Sequence, residues 1–267
     1  MRVEHILDKG SGKINEDQIL KKENLFAVFD GMTSLNKFTD AKKRTGGFLA
    51  SSVAKEAFKK KRSLVQLTEL ANKKIKKEMI KNGIDISKKE NLFGTALAAV
   101  RIKGNVLEWI QLLDCLIIVV YEDNSFKLLV EDYDADKEIM RKWKELGSKS
   151  KEDKWKILKE DIIEDRKKQN VNYGCLNGEK EYINFLRKGS ISLQRVKGVI
   201  LFTDGLIPVG EDPIAQVDFK SRVDEVMELG LKEVVKKTRR KEDNDLECEK
   251  FPRYKKHDDI GAILIRL

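Results

Sequence analysis

Residues 95–130 read TALAAVRIKGNVLEWIQLLDCLIIVVYEDNSFKLLV. Four short apolar runs, rich in β-branched residues, lie within it: 95–102, 106–113, 115–121 and 126–130. Lys103-Gly104-Asn105 and Glu122-Asp123-Asn124 stand as hairpin connections. No gap between the runs is long enough for a crossover helix. The stretch therefore predicts an antiparallel meander of four strands and argues against a chain of βαβ units.

Working outward, LFAVF at 25–29, GVILFT at 198–203 and GAILIRL at 261–267 are strands of the same kind, and QIL after Asp17 is a shorter one. Helical spacing lies elsewhere. Leu64, Leu67, Ala71, Ile75 and Met79 share one face of a helix, and Gly83 stands where its cap is expected. An earlier helix is expected over 39–61; its Gly46-Gly47 pair costs about 1 kcal/mol per glycine against alanine, which points to close packing there. DADKEIMRKWKELG begins a helix near Asp134, a mostly charged surface helix follows at 151–169, and a further helix spans 223–237. RRKEDNDLECEKFPRYKK after it reads as an exposed loop. The residues leave open whether 134–170 is a flap near a site or plain surface.

These elements predict an α+β fold: two facing antiparallel β-sheets flanked by helices on both outer faces, in α-β-β-α layers. With 267 residues, 40% of them apolar, only 3 prolines and no Ser/Gly-rich linker, the expectation is a single domain over 1–267. Lys and Arg total 54 against 45 acids, a formal net charge of +9. The lysines are spread over many helical faces with acids among them, as on a solvated surface, and no aromatics interleave with arginine in a nucleic-acid-reading pattern. Cys115, Cys175 and Cys248 are odd in number and far apart, which fits a reducing compartment. The longest apolar run, LIIVVY at 116–121, is far short of the roughly 20 residues of a membrane helix, and MRVEHILDKG lacks a signal-peptide pattern. A cytoplasmic monomer without nucleic-acid or membrane partners is expected.

The acids fall in matching places. Asp30 follows LFAVF and precedes Gly31; Asp204 follows VILFT and precedes Gly205. Asp114 lies between two strands, Asp258 and Asp259 precede the last one, and Glu16 and Asp17 precede QIL. A lone Asp-Gly after a strand is ordinarily a turn. If several of these acids converge, two carboxylates 4 Å apart repel by about 4 kcal/mol at an effective dielectric of 20. Such a cluster must protonate or hold a cation, and an all-oxygen donor set selects Mg²⁺ or Mn²⁺ over Zn²⁺. Gly31, lacking a Cβ, lets its carbonyl approach such an ion.

NEDQ, VFDG, GTA, the central Asp114, LFTDGL and DDIGAILI occur in that order from Asn15 to Leu267. Together they resemble the metal-dependent Ser/Thr protein phosphatases of type 2C, and NYGCLNGEKEYINFL looks like the bacterial members. The resemblance implies hydrolysis of phosphoserine and phosphothreonine in proteins by a hydroxide activated between two divalent ions, with no protein nucleophile. Asp30 then resembles the bridging ligand, Gly31 the carbonyl ligand, and Asp204 and Asp258 the further ligands. Glu16 and Asp17 resemble acids that hold metal-bound waters, and Asp114 resembles a ligand of a third, weaker ion. Departures are visible too. The family's phosphate-gripping Arg is Gly12 here, with Lys13 adjacent as a candidate substrate-binding charge, though without an arginine's bidentate fork. Met32 stands where many relatives have His, and Leu113 and Cys115 replace the Gly and Ser that flank the central Asp. If the register slips by one, Asp259 takes the role of Asp258. The rival readings are a scaffold of the same fold that binds phosphoproteins, and a metal-dependent hydrolase of small phosphoesters. His257 reads as an incidental loop residue, Cys115 as a core thiol, and Trp109, Trp143 and Trp155 as packing residues.

Overall fold

In the computed structural model, which describes residues 1–33, 35–36, 38–131 and 136–267, the 95–130 stretch divides between two sheets. The described residues form ten strands: β1 (Arg2–Asp8), β2 (Gln18–Lys22), β3 (Leu25–Met32), β4 (Gly94–Lys103), β5 (Val106–Leu112), β6 (Leu116–Tyr121), β7 (Phe126–Leu128), β8 (Arg187–Ser192), β9 (Val196–Phe202) and β10 (Ile260–Arg266). One sheet has the order β2-β3-β4-β5-β8 and the other β1-β10-β9-β6-β7. Every neighbouring pair is antiparallel. The expected continuous meander is thus two hairpins, β4–β5 and β6–β7, one in each sheet. Leu113, Asp114 and Cys115 carry the chain across. The physical reason is burial on both faces: Leu116 to Val120 and Gly94 to Val100 are buried throughout, so each hairpin needs cover on both sides.

Alternation along the strands sorts the core into layers. In β3, Phe26 and Val28 face the other sheet and meet Ile117, Val119, Val199, Leu201 and Ile263. Leu25, Ala27 and Phe29 face outward onto α1 (Gly46–Phe58) and α2 (Leu64–Lys81). The predicted stripe of α2 is buried from Leu64 to Met79, and Ser63 with Gln66 forms a capping box at its start. The other sheet is covered by helices numbered below as α6 (Phe219–Leu229) and α7 (Leu231–Asp243).

Several boundaries differ from expectation. The helix expected from 39 begins at 46, where Thr45 accepts a hydrogen bond from the Phe48 amide as N-cap. The helix expected over 223–237 is two, because Gly230 at φ +79° breaks the ladder between α6 and α7. β1 and β8 are edge strands whose exposed, charged sequences, RVEHILD and RKGSIS, lack a core-strand signal.

Between β7 and β8 lie α3 (Lys137–Glu145), α4 (Lys151–Ile157) and α5 (Lys159–Lys167); the expected helix start at Asp134 falls outside the described residues. These helices are not plain surface. Trp143, Leu158 and Ile162 are buried with Cys248. The Trp143 indole N–H donates to the Cys248 carbonyl at 3.0 Å, and that of Trp155 to the Tyr254 carbonyl at 3.1 Å. The 239–256 stretch is correspondingly not an exposed loop: it starts inside α7 and contains a buried ion pair between Arg253 and Asp245 at 2.6 Å.

Candidate active site

Strand parity places the first acid. Asp30 continues the inward row of Phe26 and Val28, so its carboxyl lies between the sheets where both end. Gly31 falls on the opposite face against α1. An added Cβ there would come within 2.5 Å of the Glu16 and Gly47 carbonyls, and one on Gly47 would meet Gly31 at 2.7 Å. This is the close packing that the Gly46-Gly47 pair signalled, and it gives Gly31 a packing reason of its own.

Asp30, Gly31, Asp114, Asp204 and Asp258 line one cleft. They arrive from four places: the end of β3, the crossing between β5 and β6, the end of β9, and the approach to β10. Leu113 precedes Asp114 in a left-handed conformation, φ +62°, which costs a residue with a Cβ roughly 1 kcal/mol. Glycine adopts it freely, and this fits the departure noted at that position.

Burial and crowding show in the ionisation of these groups. Burial pushes the Asp30 carboxyl well above its ordinary range, and the carboxylates of Asp204, Asp17 and Asp114 push it further; it shares a hydrogen bond with Asp204. Asp204 is itself pushed up to about 6 by burial and by Asp258. Asp17, which accepts a 2.7 Å bond from the Thr203 hydroxyl, is raised by burial despite that bond and by Asp204, Asp258 and Asp259. Burial also raises the Cys115 thiol well above its ordinary value, as a core thiol should be.

The neighbours Asp258 and Asp259 have different surroundings. Asp258 faces the cleft and accepts from the Lys255 ammonium at 2.7 Å. Asp259 is turned away: its carboxylate accepts from the Gly10 and Glu16 amides, each at 2.8 Å. Glu16 is buried and receives the hydroxyls of Thr33 and Thr45. Lys13, on the clamped 10–16 loop, is exposed and is not among the residues lining the cleft. His257 pairs with Glu242 and Asp243 on α7.

The roof of the cleft holds residues that sequence reading did not single out for a site: Arg166 and Tyr173 from the end of α5 and beyond, and Tyr254 and Lys255 from the loop before β10. Trp155, read as packing, also lines it. Nothing in a Lys- and Glu-rich stretch marks one cation as inward-facing. Burial disfavours the Lys255 ammonium, but Asp258 and then Glu16 and Asp30 hold it above its ordinary value.

Among the described residues, no group of three or more His, Cys, Asp or Glu side chains is drawn together closely enough to hold a metal ion. The cleft instead presents crowded carboxylates, with Asp30 hydrogen-bonded to Asp204 and Asp258 accepting from the Lys255 ammonium. This all-oxygen donor set fits a hard divalent ion.

Comparison with known proteins agrees with this architecture. The family model for protein phosphatase 2C matches residues 9–241, which leaves Asp258 and β10 beyond the match. The serine/threonine phosphatase PstP/Ppp of Mycobacterium tuberculosis superposes with a TM-score of 0.58 at 16% identity, covering 100% of this chain and 98% of that one. A structure of the PstP catalytic domain with 2 manganese ions gives 0.58 and 16%, covering 98% and 96%. MsPP of Mycobacterium smegmatis, a PPM Ser-Thr phosphatase in complex with cacodylate, gives 0.58 and 15%, covering 100% and 98%. No curated protein sequence matches.

Proposed function

The chain belongs to the protein phosphatase 2C family, and on that footing we propose that it hydrolyses phosphoserine and phosphothreonine monoesters in proteins with the help of two divalent ions, Mg²⁺ or Mn²⁺. The observation that carries the reading is the convergence of Asp30, Asp114, Asp204 and Asp258 on one cleft from strand ends far apart in sequence. A scaffold has no use for buried carboxylates that raise one another's proton affinity.

In this reading Asp30, the Gly31 carbonyl, Asp204 and Asp258 would hold the two ions, and Glu16 and Asp17 would act on them through water. Asp114, with Asp204, would hold a third, weaker ion. The ions, when bound, lower the pKa of water and neutralise phosphate oxygens. The protein supplies rigidity. Asp30 and Asp204 project from the ends of buried strands, and Thr203 orients Asp17. Thr33 and Thr45 fix Glu16, and the Asp259 clamp sets the loop that carries it. Arg166 in the roof lines the same cleft, and in this reading it would meet a substrate phosphate.

The test is hydrolysis of a phosphopeptide with and without Mn²⁺, for the wild type beside Asp30→Asn. Metal-independent turnover, or an active Asp30→Asn, overturns the proposal. A second reading, hydrolysis of small phosphoesters, draws on the roof of Trp155, Tyr173 and Tyr254 over the acids. Rates on nucleotides exceeding those on phosphopeptides would favour it.

A further inference from the structure

We propose that Lys255 is an internal cation that holds Asp258 when no divalent ion is bound and must yield it when one arrives, so that Lys255 sets how tightly the centre takes its metal. The inference rests on the two-ion reading above and concerns a residue which that reading leaves without a role.

The geometry is specific. The Lys255 ammonium lies 2.7 Å from one Asp258 carboxylate oxygen, and both residues line the cleft that holds Asp30, Asp114 and Asp204. The pair is local in sequence, but its two ends are anchored separately. On one side, the Tyr254 carbonyl receives the Trp155 indole and the Lys255 carbonyl the Cys248 thiol. These bonds tie the backbone of 254–255 to the roof. On the other side, the Arg239 guanidinium donates to the Asp258 backbone carbonyl at 2.7 Å while it grips Asp8 at the end of β1. The Asp258 main chain therefore stays in place when its carboxylate changes partner. Lysine suits the exchange. Its charge is compact, its stem is flexible and it makes no bidentate fork, so it can leave a carboxylate without dismantling a fixed geometry.

Competition follows from charge. An ammonium and a divalent ion on one carboxylate repel each other, and the ion binds only the fraction of molecules in which Asp258 is open. Apparent affinity is reduced by that fraction, so an ammonium in place nine times in ten weakens ion binding about tenfold.

The experiment titrates the metal-free full chain with Mn²⁺ by isothermal calorimetry, with no substrate present, for the wild type, Lys255→Met, Lys255→Gln and Lys255→Arg. Thermal unfolding in EDTA is recorded in parallel. Both neutral variants are expected to bind Mn²⁺ about tenfold more tightly and to melt lower in EDTA, because Asp258 loses its cation and keeps only the Asp259 amide as donor. Lys255→Arg, which restores a cation, is expected to bind within about threefold of the wild type or more weakly. A merely structural lysine predicts lower melting with unchanged or weaker Mn²⁺ binding, and that result in the variants that fold overturns the inference. Wild-type protein that takes up no Mn²⁺ overturns the two-ion reading itself, and this one with it.

Discussion

The floor and the roof of the cleft are built on different principles. The floor is made of acids at the ends of strands buried on both faces, so their positions are inherited from the two sheets. The roof is three short, highly charged helices held by a few aromatic contacts. Trp143 and Trp155 meet edge to face at 6.3 Å, and Trp155 packs on Tyr254 at 5.3 Å. Groups that must sit close together against repulsion need the stiff support. Groups that meet a substrate from above can stand on elements with less buried contact, which open at lower cost.

Substitutions can break this contrast. Asp30→Asn is expected to lower phosphatase turnover by about 10³-fold or more, equal to about 4 kcal/mol of transition-state stabilisation, with the circular dichroism spectrum unchanged. A stable but inactive variant would locate the chemistry in the floor. Trp143→Ala attacks the roof: loss of a fully buried indole is expected to cost about 3–4 kcal/mol in urea unfolding, if the roof unfolds with the sheets. An early, separate transition would instead show that the two regions are independent units.

The adjacent acids sharpen the comparison within the floor. Asp259→Ala removes the acceptor of one buried and one part-buried amide and should cost about 2–3 kcal/mol of stability. Asp258→Ala should leave metal-free stability within about 1–2 kcal/mol, since its carboxylate partners are a part-exposed lysine and the part-buried Asp259 amide, while sharply weakening Mn²⁺ binding by calorimetry. Equal destabilisation by the two would erase the distinction between the clamp and the ligand.

The smallest effect expected is with pH. Asp204 is raised from 3.8 to about 6, so between these values the native state binds a proton that the unfolded chain has released. Metal-free stability therefore falls as pH rises from about 4 through about 6, by a few degrees in melting temperature, and the raised Asp30 and Asp17 extend the trend upward. Saturating Mn²⁺ should reverse it, because the ionised carboxylates then have a cation. A melting temperature that rises over this range without metal would contradict the crowding of the floor.

How much was legible follows from the same contrast. Strand runs of Val, Ile, Leu and Phe announce buried β-structure wherever they occur, and the acids at their ends come attached. The glycine pair at 46–47 announced a close approach, though not that Gly31 was its partner. The edge strands β1 and β8 gave little signal because only one side of each is paired. Lys255 and Arg166 gave none: in a chain with 54 basic residues, an inward-facing cation has the same local sequence as an outward one.

Local pattern was enough to set the α+β class, the two sheets and the strand ends that bear carboxylates, because burial on two faces and side-chain alternation act within a few residues. Long-range pairing alone decided that the 95–130 stretch splits across both sheets at Asp114, that Asp258 faces the cleft while Asp259 clamps a loop, and that helices α3 to α5 roof the acids. Those outcomes depend on which surfaces meet across sequence separations of 99 to 249 residues, and no local propensity carries that information.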